Sequence, residues 1–231
     1  MRKQIQILMS TPMVQAEKDG RKTMTRRTTG LEEINEAPDK WEFSHFVENP
    51  KGGLNAVFKV SAGHEFELGA HFSIRCPYGK PGDILWVRET AARVVPAYIL
   101  IGKRYIYKAD GYDNRFGPVK WKPSIHMPKE AARIWLEVTD IRVERLHNIT
   151  DADAIAEGVE KRPDSDSSTK YNYKHYRYGG YDVGARVSFR TLWEVINGEE
   201  SWAENPWVWV VSFKILSTTG NPAGLEREVG G

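Results

Sequence analysis

Between Gly20 and Arg27 the chain reads Gly-Arg-Lys-Thr-Met-Thr-Arg-Arg, which places four cations and two hydroxyls in eight residues. A lysine crowded by Arg21, Arg26 and Arg27 has its charged form disfavoured, and this draws its pKa toward the range where an amine accepts a proton. A threonine hydroxyl is a weak nucleophile that needs such a base beside it. Lys22 and Thr25 are therefore a candidate base and nucleophile. The plainer alternative is a solvated basic face, the usual fate of a charge run.

The elements that must position these groups are short. Thr11 is placed to cap a helix with Pro12 at its first position, and Gly20 to stop it. Thr23-Met24-Thr25 favour a strand with Thr23, Thr25 and Arg27 on one face and Met24 on the other. Residues three apart on a regular strand point to opposite faces, so Lys22 meets Thr25 only from the turn or across a bulge. Further along, Thr150 caps a second helix with Asp151 and Asp153 in its first turn, and Gly158 ends it. Glu157 then falls in the last turn, where the helix dipole disfavours a carboxylate. It is either a solvated side chain or one placed there for chemistry.

The helix followed by Gly-Arg-Lys-Thr-x-Thr-x-Arg, then Ala154-Ile155-Ala156-Glu157-Gly158, then an apolar strand from Trp207 to Leu216, resembles the ASCH family. That family is a small β-barrel domain related to the PUA fold. With Pro81-Gly82-Asp83 before a Trp-Val-Arg-Glu strand and the segment Trp121 to Pro128, the layout is similar to larger ASCH-like proteins of phages and prophages. The resemblance covers residues 8–27, 80–90, 134–158 and 186–216. It implies an α+β, mainly β fold: a PUA-like small β-barrel with a few short flanking helices and long insertions at about 28–75, 91–130 and 159–185. The whole forms a single domain over 1–216, followed by a disordered tail at 217–231.

At the motif residues the resemblance is to N4-acetylcytidine amidohydrolases. It implies that Thr25 attacks an acyl carbonyl, Lys22 takes and returns the proton, and Glu157 positions Lys22 or the leaving amine. Arg27, on the same strand face as Thr25, steadies the oxyanion. The partner implied is a modified nucleoside or RNA. Arg21, Thr23 and Arg26 complete the candidate substrate-binding set on this strand. A non-catalytic reading uses the same cations to clamp the phosphates of RNA or single-stranded DNA.

Three further stretches carry candidate contacts. Arg88 and Glu89, at the end of the apolar run from Ile84, either face a pocket or form a salt bridge at the barrel rim. Two prolines in Trp121-Lys122-Pro123-Ser124-Ile125-His126-Met127-Pro128 predict a stiff extended loop presenting Trp121, Ser124 and His126 as a wall for a stacked base. Between Lys161 and Gly184, tyrosines interleaved with Lys170, Lys174, His175 and Arg177 read as a mobile loop or a stacking surface for single strands. The remaining strands predicted are Gln4 to Met9, Leu54 to Val60, Phe72 to Cys76, Arg104 to Ala109 and Ala132 to Leu146. The last has a slip of phase at Thr139-Asp140 that suggests a bulge. Thr28 to Pro50 reads as an irregular acidic insertion or lid, and Val187 to Ile196 as a helix.

Composition bounds these readings. In 231 residues, 40% hydrophobic with 8 Trp, 10 Tyr and 8 Phe, there is enough apolar surface for a sizeable core. A net charge of +2 makes any nucleic-acid footprint local to the stretch around Arg21 to Arg27. Cys76 alone excludes an internal disulfide and a multi-cysteine zinc site, and no two histidines stand at metal-binding helical spacing. No metal or cofactor is expected. The absence of a long apolar run predicts a cytoplasmic protein without membrane contact.

Overall fold

The computed structural model describes residues 2–50, 52–61, 71–94, 104–112, 118–163 and 172–222. In chain order its elements are β1 (Gln4–Leu8), α1 (Thr11–Lys18), β2 (Met24–Arg27), α2 (Glu32–Asn35), β3 (Trp41–Asn49), β4 (Gly53–Val60), β5 (His71–Arg75), β6 (Ile84–Arg88), β7 (Ala91–Arg93) and β8 (Tyr105–Tyr107). They continue with β9 (Trp135–Arg145), α3 (Asp151–Ala156), β10 (Tyr173–Lys174), β11 (Tyr181–Val183), α4 (Ala185–Asn197) and β12 (Trp207–Ser217). The class is mixed α and β with strands predominating.

Five strands in the order β1-β6-β9-β12-β2 make the main sheet. Only β1 and β6 run parallel, and the other pairs are antiparallel. Among the described residues no pairing joins β1 to β2, so this sheet has two edges and is not closed into a ring. The interior strand β12 is apolar on both faces because both are covered. Trp207, Trp209, Val211 and Phe213 enter one core with Leu136, Val138 and Ile141, while Val208 and Val210 enter a second with Phe189 and Trp193. The phase slip in β9 is a bulge: Ser212 pairs with Asp140 and Phe213 with Val138, leaving Thr139 between them.

A second sheet, β3-β4-β5, packs on the first core through Ala56 and Phe58. The Phe58 ring meets Trp207 edge-on at 5.3 Å, and Phe46 stacks on Trp209 at 6.5 Å. Thr28 to Pro50 is thus no irregular lid, since it holds α2 and the nine-residue strand β3. Its alternation is hidden by a register shift between Phe43 and His45, which breaks the period of two. The Tyr-rich stretch is tied down where it is described, in the β10-β11 pair and through Tyr176 N–H to Thr191 Oγ1 at 3.0 Å. Tyr171 and Lys170 lie outside the described residues. Nor is the tail free from residue 217 on, because Ser217 closes β12 and Gly220 N–H donates to Arg133 O at 3.0 Å. Residues 223–231 lie outside the described set. No described helix is long and apolar enough to cross a membrane.

The helices start as local chemistry dictates, with one change. Ser10, not Thr11, is the residue before the first turn of α1, and its hydroxyl makes no capping bond. Thr150 closes a reciprocal box on α3, with Asp153 N–H donating to Thr150 Oγ1 at 3.1 Å and Thr150 N–H to Asp153 Oδ2 at 3.3 Å. Thr150→Ala is expected to lower stability by about 1 kcal/mol, read as a shift in the urea midpoint without a change in slope.

Candidate functional site

Lys22 leaves the turn after α1 with its amide bonded to Ala16 O at 3.1 Å, and its side chain is fully buried. Its Nζ donates to Met24 O at 2.7 Å, to Glu157 O at 3.0 Å and to Glu157 Oε2 at 2.8 Å. Glu157 is also buried, 135 residues further along the chain. It arrives there because the turn after α3 packs directly on α1. Gly158 has φ +88°, and a Cβ added to it would stand 2.9 Å from Lys22 Cβ and 3.0 Å from Ala16 Cβ. Gly158→Ala should therefore cost at least about 2 kcal/mol, since left-handed backbone alone costs roughly 1–2. Thermal unfolding monitored by circular dichroism checks it.

Around this pair the charges alternate. Arg26 is fully buried and donates to Glu144 Oε1 at 2.6 Å, to Asp153 Oδ2 at 3.0 Å and more weakly to Glu157 Oε1 at 3.4 Å. Burial lowers the pKa of Lys22 below its usual 10.5, against the pull of Glu157. The direction agrees with the reading from sequence, but the leading cause is desolvation and not crowding by other cations. Arg27 contributes a smaller effect of the same sign.

Thr25 and Lys22 are not hydrogen-bonded to each other. Thr25 is fully buried on β2, and its hydroxyl has no partner among the described residues. It pairs across the ladder with Val211, as Arg27 does with Trp209, so both side chains face the core on the α1 side. Arg27 crosses to α1's approach, donating to Leu8 O at 2.8 Å and to Met9 Sδ at 3.1 Å. Met24 and Arg26 face the opposite way, toward α4, where the Arg26 guanidinium lies 5.9 Å from the Phe189 ring centre.

One group on the α1 side was missed from sequence. Glu17 is 1% exposed, and neither carboxylate oxygen has a hydrogen-bond partner among the described residues. Burial pushes its pKa from 4.5 up to about 8, with Lys22 and Arg27 opposing and Glu89 reinforcing. A signal existed: Glu17 stands four after Met13 and three after Val14, on the inward stripe of a short helix.

Other candidates from sequence sit elsewhere. Arg21 donates to Gly158 O at 2.8 Å and pairs with Asp19 at 3.0 Å, and Thr23 is exposed with its N–H on Ala156 O at 2.8 Å. Arg88 donates to Gln6 Oε1 at 2.7 Å and to Ile125 O. Glu89 forms a two-pronged pair with Arg133 at 2.8 and 2.9 Å, which is the salt-bridge alternative. Burial raises the pKa of Glu89, with Arg133 opposing. The ring of Trp121 packs edge-on against Tyr112 at 5.9 Å. Ser124 and His126 belong to a 3-10 turn, which replaces the extended loop expected there because Pro123 supplies the carbonyl that His126 N–H needs. No group of three or more His, Cys, Asp or Glu side chains among the described residues is placed to hold a metal ion.

A cleft of about 110 Å³ opens beside the buried pair, lined by Glu157, Arg26 to Thr29, Met13 and one face of α4. Comparison with protein-family models, curated proteins and solved structures finds no match for this chain.

Proposed function

We propose that this is an ASCH-like protein acting on a nucleoside or RNA, in which Lys22, Glu157 and Thr25 carry out hydrolysis of an amide. The observation that carries the reading is the buried ion pair of Lys22 and Glu157 at 2.8 Å, beside an open cleft and next to the strand that bears Thr25. A carboxylate at that distance can take a proton from the ammonium, leaving the neutral amine that accepts the Thr25 proton as its oxygen attacks the acyl carbon. The proton then returns to the departing amine, and water releases the acyl group from Thr25 in a second round.

The finer fold reading, a PUA-like barrel, is supported by α1. Its eight residues are about 12 Å long, yet with short links they join the two edge strands β1 and β2. Four inter-strand steps on a flat sheet span about 19 Å, and a sheet curled around α1 would shorten that distance, as the barrel reading requires. The test of function is incubation with a panel of N-acylated nucleosides and acetylated RNA, followed by mass spectrometry, with Thr25→Ala as the control. Loss of the acyl mass with wild type and not with the variant is the expected result.

A second reading, a non-catalytic nucleic-acid-binding module, is favoured by one feature. All three Nζ protons of Lys22 have acceptors and Thr25 is fully buried, so substrate reaches neither without local movement. Binding that weakens steeply with salt and shows no turnover would favour it.

A further inference from the structure

α1 and β2 run back along each other, and contacts at their two ends fix the register between them. At one end Lys22 N–H bonds to Ala16 O at 3.1 Å. At the other, Arg27 Nη2 reaches Met13 Sδ at 4.0 Å. Glu17 stands four residues on from Met13, a rise of about 6 Å along the helix. Thr25 stands two residues back from Arg27, about 6.7 Å along the strand. The two steps match, so Glu17 comes level with Thr25 across the space between helix and strand.

Both groups are buried and neither is satisfied. Glu17 is 1% exposed and Thr25 0%, and neither the two carboxyl oxygens nor the hydroxyl has a hydrogen-bond partner among the described residues. Native proteins leave only a few such groups per hundred residues, so two at facing positions call for something polar between them. Met13 and Arg27 line the cleft, which makes Glu17 and Thr25 the next inward-facing residues along the same two elements. The charged groups facing Glu17 are Lys22 from the turn after α1, Arg27 from β2 and Glu89 from the end of β6. Neither cation gives it a hydrogen bond: Lys22 Nζ is taken up by Met24 O, Glu157 O and Glu157 Oε2, and Arg27 Nη2 by Leu8 O and Met9 Sδ. Burial penalises the charged form, so the carboxyl keeps its proton to about pH 8. A protonated carboxyl is a hydrogen-bond donor.

We infer that Glu17 is a further catalytic residue, whose carboxyl donates a hydrogen bond to the carbonyl oxygen of an acyl group held between it and Thr25. As Thr25 Oγ1 bonds to the acyl carbon, its proton passes to Lys22 and the carbonyl electron pair moves onto oxygen. The Glu17 O–H steadies that oxygen and keeps its own proton. The pair then re-forms the carbonyl as the leaving group departs with the proton from Lys22. Only the acyl group meets Glu17, so the role extends to any acyl donor that fits. The inference rests on the proposed reading of Thr25 as nucleophile, and it moves the oxyanion contact from Arg27 to Glu17.

Acetylation of the intact chain by p-nitrophenyl acetate tests it, with p-nitrophenol release followed by absorbance and acetyl-Thr25 located by peptide mass spectrometry. Glu17→Met keeps the length of the side chain and removes the donor, whereas Glu17→Gln keeps a donor that does not titrate. Loss of one oxyanion donor costs about 10²–10³ in rate. Glu17→Met should therefore acetylate Thr25 about a hundredfold more slowly at a Tm no lower than wild type, and Glu17→Gln should lose no more than about tenfold. The wild-type rate divided by that of Glu17→Gln should be flat well below pH 8 and fall as pH rises through about 8, where Glu17 ionises. Taking the ratio removes the titration of Lys22 that both proteins share, and a merely structural carboxyl would leave it flat. Should Glu17→Met not fold, the ratio alone decides. Equal rates for wild type and folded Glu17→Met, or a ratio that does not change with pH, overturns the role of Glu17 and retains Thr25 as nucleophile. No acetyl-Thr25 from folded wild type overturns both. Acetylation that depends on Glu17, in a protein that leaves every N-acylated nucleoside intact, retains Glu17 and removes the nucleoside reading.

Discussion

Glu17→Gln is expected to stabilise the protein, by an amount that grows with pH. Glu17 holds its proton in the folded state up to about pH 8 but only to its ordinary 4.5 when unfolded. Between those values the native state binds more protons, so stability falls as pH rises. The contribution is full below pH 4.5 and is lost as pH rises through 8. The groups facing the carboxyl are Lys22, Arg27 and Glu89, and the two cations are too weak a match for the desolvation to prevent this. At about 1.4 kcal/mol per tenfold change in proton affinity, the span from 4.5 to about 8 sets an upper limit of roughly 5 kcal/mol. Gln keeps the shape and removes the titration. Denaturant unfolding of both proteins at pH 5, 7 and 8.5 should show curves that diverge upward in pH, with the variant the more stable. Parallel curves would mean that Glu17 is paired or hydrated in solution.

What the sequence disclosed and what it hid have a common physical origin. Patterns that are local in the chain were legible: the helix cap at Thr150, the glycine stop at Gly158 and the bulge at Thr139 are each written in a few adjacent residues. Their spatial partners were legible only where a motif order supplied them, as with Lys22 and Glu157. In the second sheet β4 and β5 were legible, whereas β3 was missed because the bulge between Phe43 and His45 breaks the alternation that marks a strand, and because polar residues fill most of its exposed positions. α4 was recognised as a helix, but nothing in its spacing says that Phe189 and Trp193 lie beside β2. That placement comes from β12, which pairs with β2 on one side and sends Val208 and Val210 under α4. Arg88 and Glu89 were ambiguous for the same reason: the guanidinium that neutralises Glu89 belongs to Arg133, 44 residues away.

Thr25→Val is expected to abolish turnover while leaving the fold at least as stable as wild type. Val has the branching of Thr and lacks only the hydroxyl, which is buried here without a partner among the described residues. A polar group in that state costs about 1–3 kcal/mol, so an apolar replacement of the same shape should recover part of this. If the hydroxyl is the attacking group, its removal should cost on the order of a thousandfold in kcat, equivalent to about 4 kcal/mol of barrier. Opposite signs in stability and rate are what a residue retained for chemistry produces, and a residue retained for packing cannot produce them. Single-turnover deacylation measured beside thermal unfolding distinguishes the two. Should Thr25→Val be destabilised by more than about 1 kcal/mol, the hydroxyl has a structural partner in solution, and its burial no longer argues for a nucleophile. A stable variant with full turnover would move the attack to water activated by Lys22 and Glu157, which need no residue on the α1 face of β2.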